Sequence, residues 1–250
     1  VARFDASTGV VPNDPAFPVT FVKPFGLNVA YMVNGYMMIV FAPDSGGPPG
    51  GFLFYDVSDP RNIRLVNRHY APLGDTAEFR EAHAIGFAQV DGVPIAVLHT
   101  GRGIEFWDLG NVMAPRQISK LALPGVAGGD YEFVAWQLAW TGDHLYVAGS
   151  ALGVYIVDTS DILAPRLADR GGAPNPVPPS ELGGFRVGPL FAWGNRLIVS
   201  SMDTSGGFST VDISEPLHPR LIASHTRDLT QFYAICLSGN HIVTDRKSVV

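Results

Sequence analysis

Four copies of one fourteen-residue pattern run through the chain, and no other feature restricts its fold as much. They read GFLFYDVSDPRNIR from Gly51, GIEFWDLGNVMAPR from Gly103, GVYIVDTSDILAPR from Gly153 and GFSTVDISEPLHPR from Gly207. The aspartates are Asp56, Asp108, Asp158 and Asp212, at steps of 52, 50 and 54 residues. Eight positions after each stands an arginine: Arg64, Arg116, Arg166 and Arg220. A repeat of this length is one supersecondary unit, which buries its apolar face only against neighbouring units. An aspartate with an arginine close behind suggests chemistry when it occurs once. Four occurrences point to architecture instead, since a catalytic pair is needed only once.

Each position of the pattern has a physical reading. The glycine opens a strand after a tight turn, where φ > 0 is often required. Residues such as Tyr155 to Val157 are aromatic or β-branched and suit a pleated surface. The aspartate carboxylate is placed to accept backbone N–H groups two or three residues on and close an Asx-turn. Proline before the arginine (Pro115, Pro165, Pro219; Ile63 in the first copy) suits an outer strand, where a missing donor matters least. The arginine then charges that edge against strand-to-strand association.

The residues before each copy also repeat. HAIGFAQVDGVPIAVLHTG from His83, FVAWQLAWTGDHLYVAGS from Phe133 and FRVGPLFAWGNRLIVSSM from Phe185 each hold two apolar strands joined by a Gly-containing turn. Every unit therefore has four consecutive strands, the make-up of a β-propeller blade. The 28 glycines and 20 prolines suit an all-β chain dense in turns. The expected architecture is a single β-propeller domain over residues 1–250 with four-stranded antiparallel blades at about 28–69, 82–121, 133–170 and 185–224. A partial fifth blade occupies 231–244, so about four and a half blades are present. An N-terminal segment with prolines at 12, 15, 18 and 24 completes another blade or packs along the rim.

These copies resemble the LVIVD-repeat family of bacterial and archaeal propellers. The resemblance rests on VYIVDTSDILAPRL, FSTVDISEPLHPRL and FLFYDVSDPRNIRL and extends over about residues 28–244. The second copy departs most, with Trp107 and Gly110 where the others carry smaller residues and serine. The resemblance implies a propeller that is extracellular or on the cell surface, with an unassigned molecular role. The final DRKSVV abandons the strand pattern and is similar to one reading frame of a sequencing-adapter oligonucleotide. Residues 245–250 are accordingly read as a non-native tail, and the chain as truncated.

Composition and motifs exclude several function classes. A net charge of −6 with dispersed arginines leaves no nucleic-acid footprint, and no apolar run reaches the length of a membrane span. The single cysteine, Cys236, has no internal disulfide partner and reads as a buried thiol in an apolar strand. No HExxH, GxSxG, P-loop or EF-hand loop occurs, so no catalytic set, metal centre or cofactor is assigned. A ring of histidines at the start of the innermost strands would make a metal site. Here His83 aligns with Phe133 and Phe185, and one histidine is too few.

The blade-to-blade loops are the better candidates: 70–81, 122–132, 171–184 and 225–230. Propeller connectivity puts them on one face, and loops on a rigid scaffold are where binding resides. Glu81, His83, Tyr131, Glu132 and Arg186 are the candidate ligand-binding residues, over walls such as Phe133 and Phe185. Asp56, Asp108, Asp158 and Asp212 are turn residues. The function expected is a non-enzymatic scaffold binding an unknown protein, glycan or small ligand. The alternative is an enzyme, a hydrolase or a metal-dependent activity, with its site near Glu81, His83 and Glu132.

Overall fold

The computed structural model describes residues 25–43, 51–70, 80–128, 130, 132–203, 206–225, 232–238 and 241–246. The proline-bearing N-terminal segment, Tyr131 and most of loops 70–81 and 225–230 lie outside them. Apart from one 3-10 turn at Pro179–Glu181, the elements are all strands. They form four four-stranded antiparallel sheets and one of two strands. The first sheet holds β1 (Phe25–Val33), β2 (Tyr36–Pro43), β3 (Gly51–Asp56) and β4 (Arg64–Tyr70). The second holds β5 (Arg80–Val90), β6 (Val93–Thr100), β7 (Gly103–Asp108) and β8 (Arg116–Ala122). In the third are β9 (Leu138–Thr141), β10 (His144–Ala148), β11 (Val154–Asp158) and β12 (Arg166–Leu167). The fourth comprises β13 (Val187–Trp193), β14 (Arg196–Ser201), β15 (Phe208–Asp212) and β16 (Arg220–His225). The last pairs β17 (Phe232–Ser238) with β18 (His241–Arg246), so Asp245 and Arg246 continue a strand that the sequence pattern ended at 244.

Strands neighbour one another in chain order because each hairpin is short. Asn34-Gly35 and Asp91-Gly92 both have two positive φ angles, as a type I′ turn requires. In the third and fourth sheets only the leading glycine, Gly142 or Gly194, is positive, which is the II′ pattern. The third strands β3, β7 and β11 are largely buried and β15 partly so, whereas β8 and β16 are mostly exposed along their length. This is the burial gradient of a blade, in which the fourth strand is the outer edge.

The chain divides into two compact units, Val1–Thr100 with Glu105–Ile118, and Gly101–Ile104 with Ser119–Val250. In the first, Met38, Val40, Phe52, Phe54, Ala96, Leu98 and Trp107 form one core, with Phe52 and Trp107 edge to face at 5.6 Å. In the second, Tyr146, Ile156, Val187, Val199 and Val211 are central to another. Burial of such side chains stabilises by about 25 cal/mol per Å² of apolar surface, and it is why isolated repeats do not fold.

The four aspartates occupy equivalent turns. Their Oδ1 atoms accept the N–H of Ser58 (3.0 Å), Gly110 (2.8 Å), Ser160 (3.0 Å) and Ser214 (2.9 Å). Beyond the expected Asx-turn, the other oxygen of each aspartate receives the arginine eight residues on, at 2.9, 3.1, 2.6 and 3.4 Å. In three sheets the Asp and Arg are direct cross-strand partners: Asp56↔Arg64, Asp158↔Arg166 and Asp212↔Arg220. The arginine thus locks the turn that sets the register of the outer strand.

The glycine of the motif has a different cause from the one its sequence suggests. Gly153 does have φ 102°, but Gly103 has an ordinary φ. At both, a Cβ would fall on a backbone oxygen of the segment passing alongside, Leu121 O at Gly103 and Val177 O at Gly153. Close approach of that segment, more than turn geometry, demands glycine.

A third recurring device is invisible in the motif. In the first three sheets, a polar side chain shortly after the outer strand begins donates to a carbonyl in the next sheet's turn. Asn67 Nδ2 reaches Val112 O (2.8 Å), Ser119 Oγ reaches Ile162 O (2.5 Å) and Arg170 Nε reaches Leu217 O (2.8 Å). The donors differ in type, so no residue pattern announces them.

Candidate functional site

The loop end of the second unit is assembled from three segments. Glu132 N donates to Asp130 Oδ1 (2.9 Å), and Phe133 N to Asp130 O (3.0 Å), closing a turn ahead of β9. Glu132 O accepts the N–H of Ala151 (2.9 Å), and the adjacent Ser150 bridges Val187, whose N–H it accepts at 3.0 Å. Val187 is the neighbour of Arg186. A short path of backbone bonds therefore carries Glu132 and Arg186 to the same end of the unit.

Arg186 is held there by an aspartate that the sequence reading did not single out. Its Nε donates to Asp203 Oδ1 (2.6 Å) and its backbone N–H to Asp203 Oδ2 (3.1 Å). Asp203 N donates in turn to Ser201 Oγ (2.8 Å). Both side chains remain about one third exposed, at 35% and 33%. Glu132 is exposed. Arg186 and Asp203 thus form an anchored, partly exposed ion pair, with the exposed Glu132 at the same end of the unit. Asp203 follows β14 at the place where Gly149 and Ser150 follow β10. Only an alignment on strand ends would have brought it out.

The other candidates fall differently. Glu81 and His83 lie within β5, on the first unit, and their side chains lie outside the described residues, as does Tyr131. Phe133 and Phe185 do not begin innermost strands: Phe133 is in the turn before β9, and Phe185 precedes β13 and is buried in the core beside Trp136 and Leu182. Gln137, also unremarked in the sequence, links two inner strands by accepting Leu190 N–H on Oε1 (2.9 Å). Among the described residues no group of three or more His, Cys, Asp or Glu is placed to hold a metal ion. No helix among them is long and apolar enough to cross a membrane.

The stretch APNPVPPSE is expected to be extended, as a lid, a partner contact or a spacer. Instead it completes the outer edge of the third sheet. β12 is only two residues long, and Ala168 N–H adds one further bond to Ile156 O (2.9 Å). The Asn175 side chain then takes the place of a strand, accepting Ile156 N–H (3.0 Å) and donating to Ile156 O (2.8 Å) and Ala168 O (3.0 Å). Val177 resumes the ladder with Val154, at 2.8 and 3.0 Å. Arg170, buried to 5% exposure, ties the loop down through Leu217 O and Pro174 O.

Electrostatics mark the turn end more than the loop end. The Asp158 carboxyl is lowered below its usual range first by the Ser160 hydroxyl and N–H, then by the charges of Arg166 and His144. Asp212 is lowered by Ser214 and by the two arginines Arg196 and Arg220, while Asp56 and Asp108 are lowered by Ser58 and Gly110 with their own arginines. Burial pushes Tyr155 up to about 12, and its hydroxyl donates to Pro124 O. These are structural groups, and none lies with Glu132 and Arg186.

Sheets of four antiparallel strands, one per repeat and buried toward their inner strands, define the chain as a β-propeller protein. Within it, the LVIVD repeat matches residues 128–170 and 202–226. Solved structures with the same fold include a periplasmic gluconolactonase of Pseudomonas aeruginosa, at 13% identity and TM-score 0.61 over 96% of this chain and 70% of that one. The Cps50 (Swd1) β-propeller domain of Myceliophteria thermophila is similar at 9% identity and TM-score 0.54, covering 90% and 64%. A family 117 glycoside hydrolase, Zg3597 of Zobellia galactanivorans, is similar at 11% identity and TM-score 0.51, covering 82% and 70%. At these identities the likeness is one of fold. None of the curated proteins matches the sequence.

Proposed function

We propose that the chain is a non-enzymatic propeller scaffold, one domain of repeated blades, that binds a protein, glycan or small ligand on its blade-to-blade loops. The observation that carries this reading is a contrast in number. The Asp–Arg pair of the turns occurs four times, whereas the one-third-exposed Arg186–Asp203 pair, at the same end of the unit as Glu132, occurs once among the described residues. An anchored arginine is suited to charge-assisted hydrogen bonds with carboxylate, phosphate or hydroxyl groups. On the first unit, Glu81 and His83 are candidates in their own right. The LVIVD resemblance supports an extracellular or cell-surface location.

The second reading is an enzyme whose site uses Glu81 and His83 or Glu132. Two proteins of similar fold are named as a gluconolactonase and a glycoside hydrolase, which supports this reading at the level of the fold. The test is a glycan and small-molecule screen with the full chain, followed by Arg186→Ala and Arg166→Ala on any hit. Loss of one charged hydrogen bond predicts about tenfold or more weaker binding for Arg186→Ala, with Arg166→Ala unchanged. The reverse result places the ligand elsewhere. Conversion of the hit to product, abolished by Glu132→Gln or His83→Ala, would establish the enzyme.

A further inference from the structure

The hairpin between β1 and β2 turns on Asn34-Gly35, the only Asn-Gly pair in the chain. Both residues are exposed, and both have positive φ, 48° and 83°. A Cβ built on Gly35 would meet nothing within 4 Å, and its N–H donates to no group among the described residues. The Asn34 side chain reaches across to the second sheet. Its Nδ2 donates to Gly110 O (3.2 Å) and Leu109 O (3.4 Å), just past the motif aspartate Asp108. Both bonds are at or beyond the long end of the usual range for N–H···O, so the amide is held only loosely.

We propose that Asn34 is a site of spontaneous deamidation, and that the reaction unfastens the first sheet's hairpin from the second sheet's turn. The Gly35 nitrogen attacks Asn34 Cγ and closes a succinimide ring. The Cγ–Nδ2 bond breaks, and Nδ2 leaves as ammonia with the proton given up by Gly35. Water then opens the ring at either carbonyl, giving aspartate or isoaspartate, and no other reactant enters. Glycine permits the attack because no side chain shields its nitrogen. Other asparagines that bond through their side chains lack that opening. Asn67 precedes Arg68, Asn111 precedes Val112, and Asn175 precedes Pro176, whose nitrogen carries no proton.

The second sheet shows what the product changes. Its equivalent hairpin is Asp91-Gly92, with φ 50° and 77°, so the turn itself accommodates a carboxylate. The bond to the neighbouring turn is what cannot survive. An amide nitrogen donates to carbonyls, whereas an ionised carboxylate only accepts. At position 34 it would stand against two carbonyl oxygens, in a turn whose Asp108 carboxylate already holds Gly110 N–H.

Ageing the full chain in mildly alkaline buffer tests the reaction. Peptide mapping by mass spectrometry should find position 34 converted several-fold faster than Asn67 or Asn111, with the mass raised by the difference between water and ammonia. Isoaspartate and aspartate should both appear, since both arise from the ring. Conversion no faster than at Asn111, or to aspartate alone, would overturn the reaction. Asn34→Asp, made directly, tests the consequence without ageing. Loss of the side-chain link should speed amide exchange at Leu109 and Gly110 by about fivefold, while Val33 and Tyr36 beside the turn keep the wild-type rate. Unchanged exchange at Leu109 and Gly110, or equal acceleration throughout the first sheet, would overturn the link.

Discussion

The two ends of the third blade are built on opposite principles. At its turn end, Asp158, Ser160 and Arg166 repeat a device present in all four complete blades. At its loop end, Gly153 lies against Val177 as Gly103 lies against Leu121, but Glu132 makes contacts particular to this blade, and Asn175 fills a gap in the outer edge between the two ends. The turn end is a set of exposed, cooperating bonds, each of modest worth. The loop end shares its leading glycine with the second blade and otherwise depends on contacts that do not recur among the described residues. A repeat protein can therefore vary its loop end blade by blade while the turn end keeps the register, and this is why the candidate site lies among loops.

The sharpest way to break this comparison is Gly153→Ala. The added Cβ meets Val177 O, and alanine resists φ 102°. Strain at such a position and a backbone clash together predict a loss of about 3 kcal/mol, read as a lower urea midpoint at unchanged slope. A loss below that of Asp158→Ala would show that the loop end tolerates more than its geometry allows.

Asn175→Ala comes next. It removes the partner of Ile156 N–H on the outer edge and leaves Ile156 O with Ala168 N–H alone, and a part-buried backbone group left without a partner costs about 1–3 kcal/mol. Faster hydrogen exchange confined to Ile156 and its neighbours would confirm that this side chain substitutes for a strand. Uniform acceleration across the blade would argue that it merely fills space.

Asp158→Ala should be the mildest, about 0.5–2 kcal/mol by analogy with lost caps, with ligand binding unchanged. Its pH dependence sharpens the comparison. A carboxyl lowered in the folded state contributes stability that is present above the ordinary aspartate range, about 3.9, and is lost as pH falls through the lowered folded range. The wild type should thus weaken as pH is lowered from about 5 toward 2, and Asp158→Ala should weaken less steeply. Parallel acid profiles for the two would mean that the turn carboxylates do not control acid stability.

Much of the fold was legible in the residues. The step of the aspartates gave the repeat, hairpin glycines such as Gly92 and Gly142 gave the turns, and β-branched runs gave the strands. The Asx-turns were legible too, because they are local: Asp158 needs only a donor two residues on. The site was less so. Arg186 and Glu132 were marked by charge on predicted loops, but Asp203 was not, because it stands seventeen positions from Arg186 and meets it only through the hairpin of β13 and β14.

The sequence by itself determined what repeats. Period, strand count, turn positions and the outward placement of the fourth strand all follow from local chemistry reiterated at a fixed interval. Only the tertiary structure decided which side chains meet. That Arg166 bonds Asp158, that Asn175 stands in for a strand, and that Asn67, Ser119 and Arg170 staple neighbouring sheets all depend on distances set by packing. Residues far apart in the chain carry no common pattern for such contacts. Many donors can satisfy one carbonyl, so the partner is chosen by geometry and not by residue type.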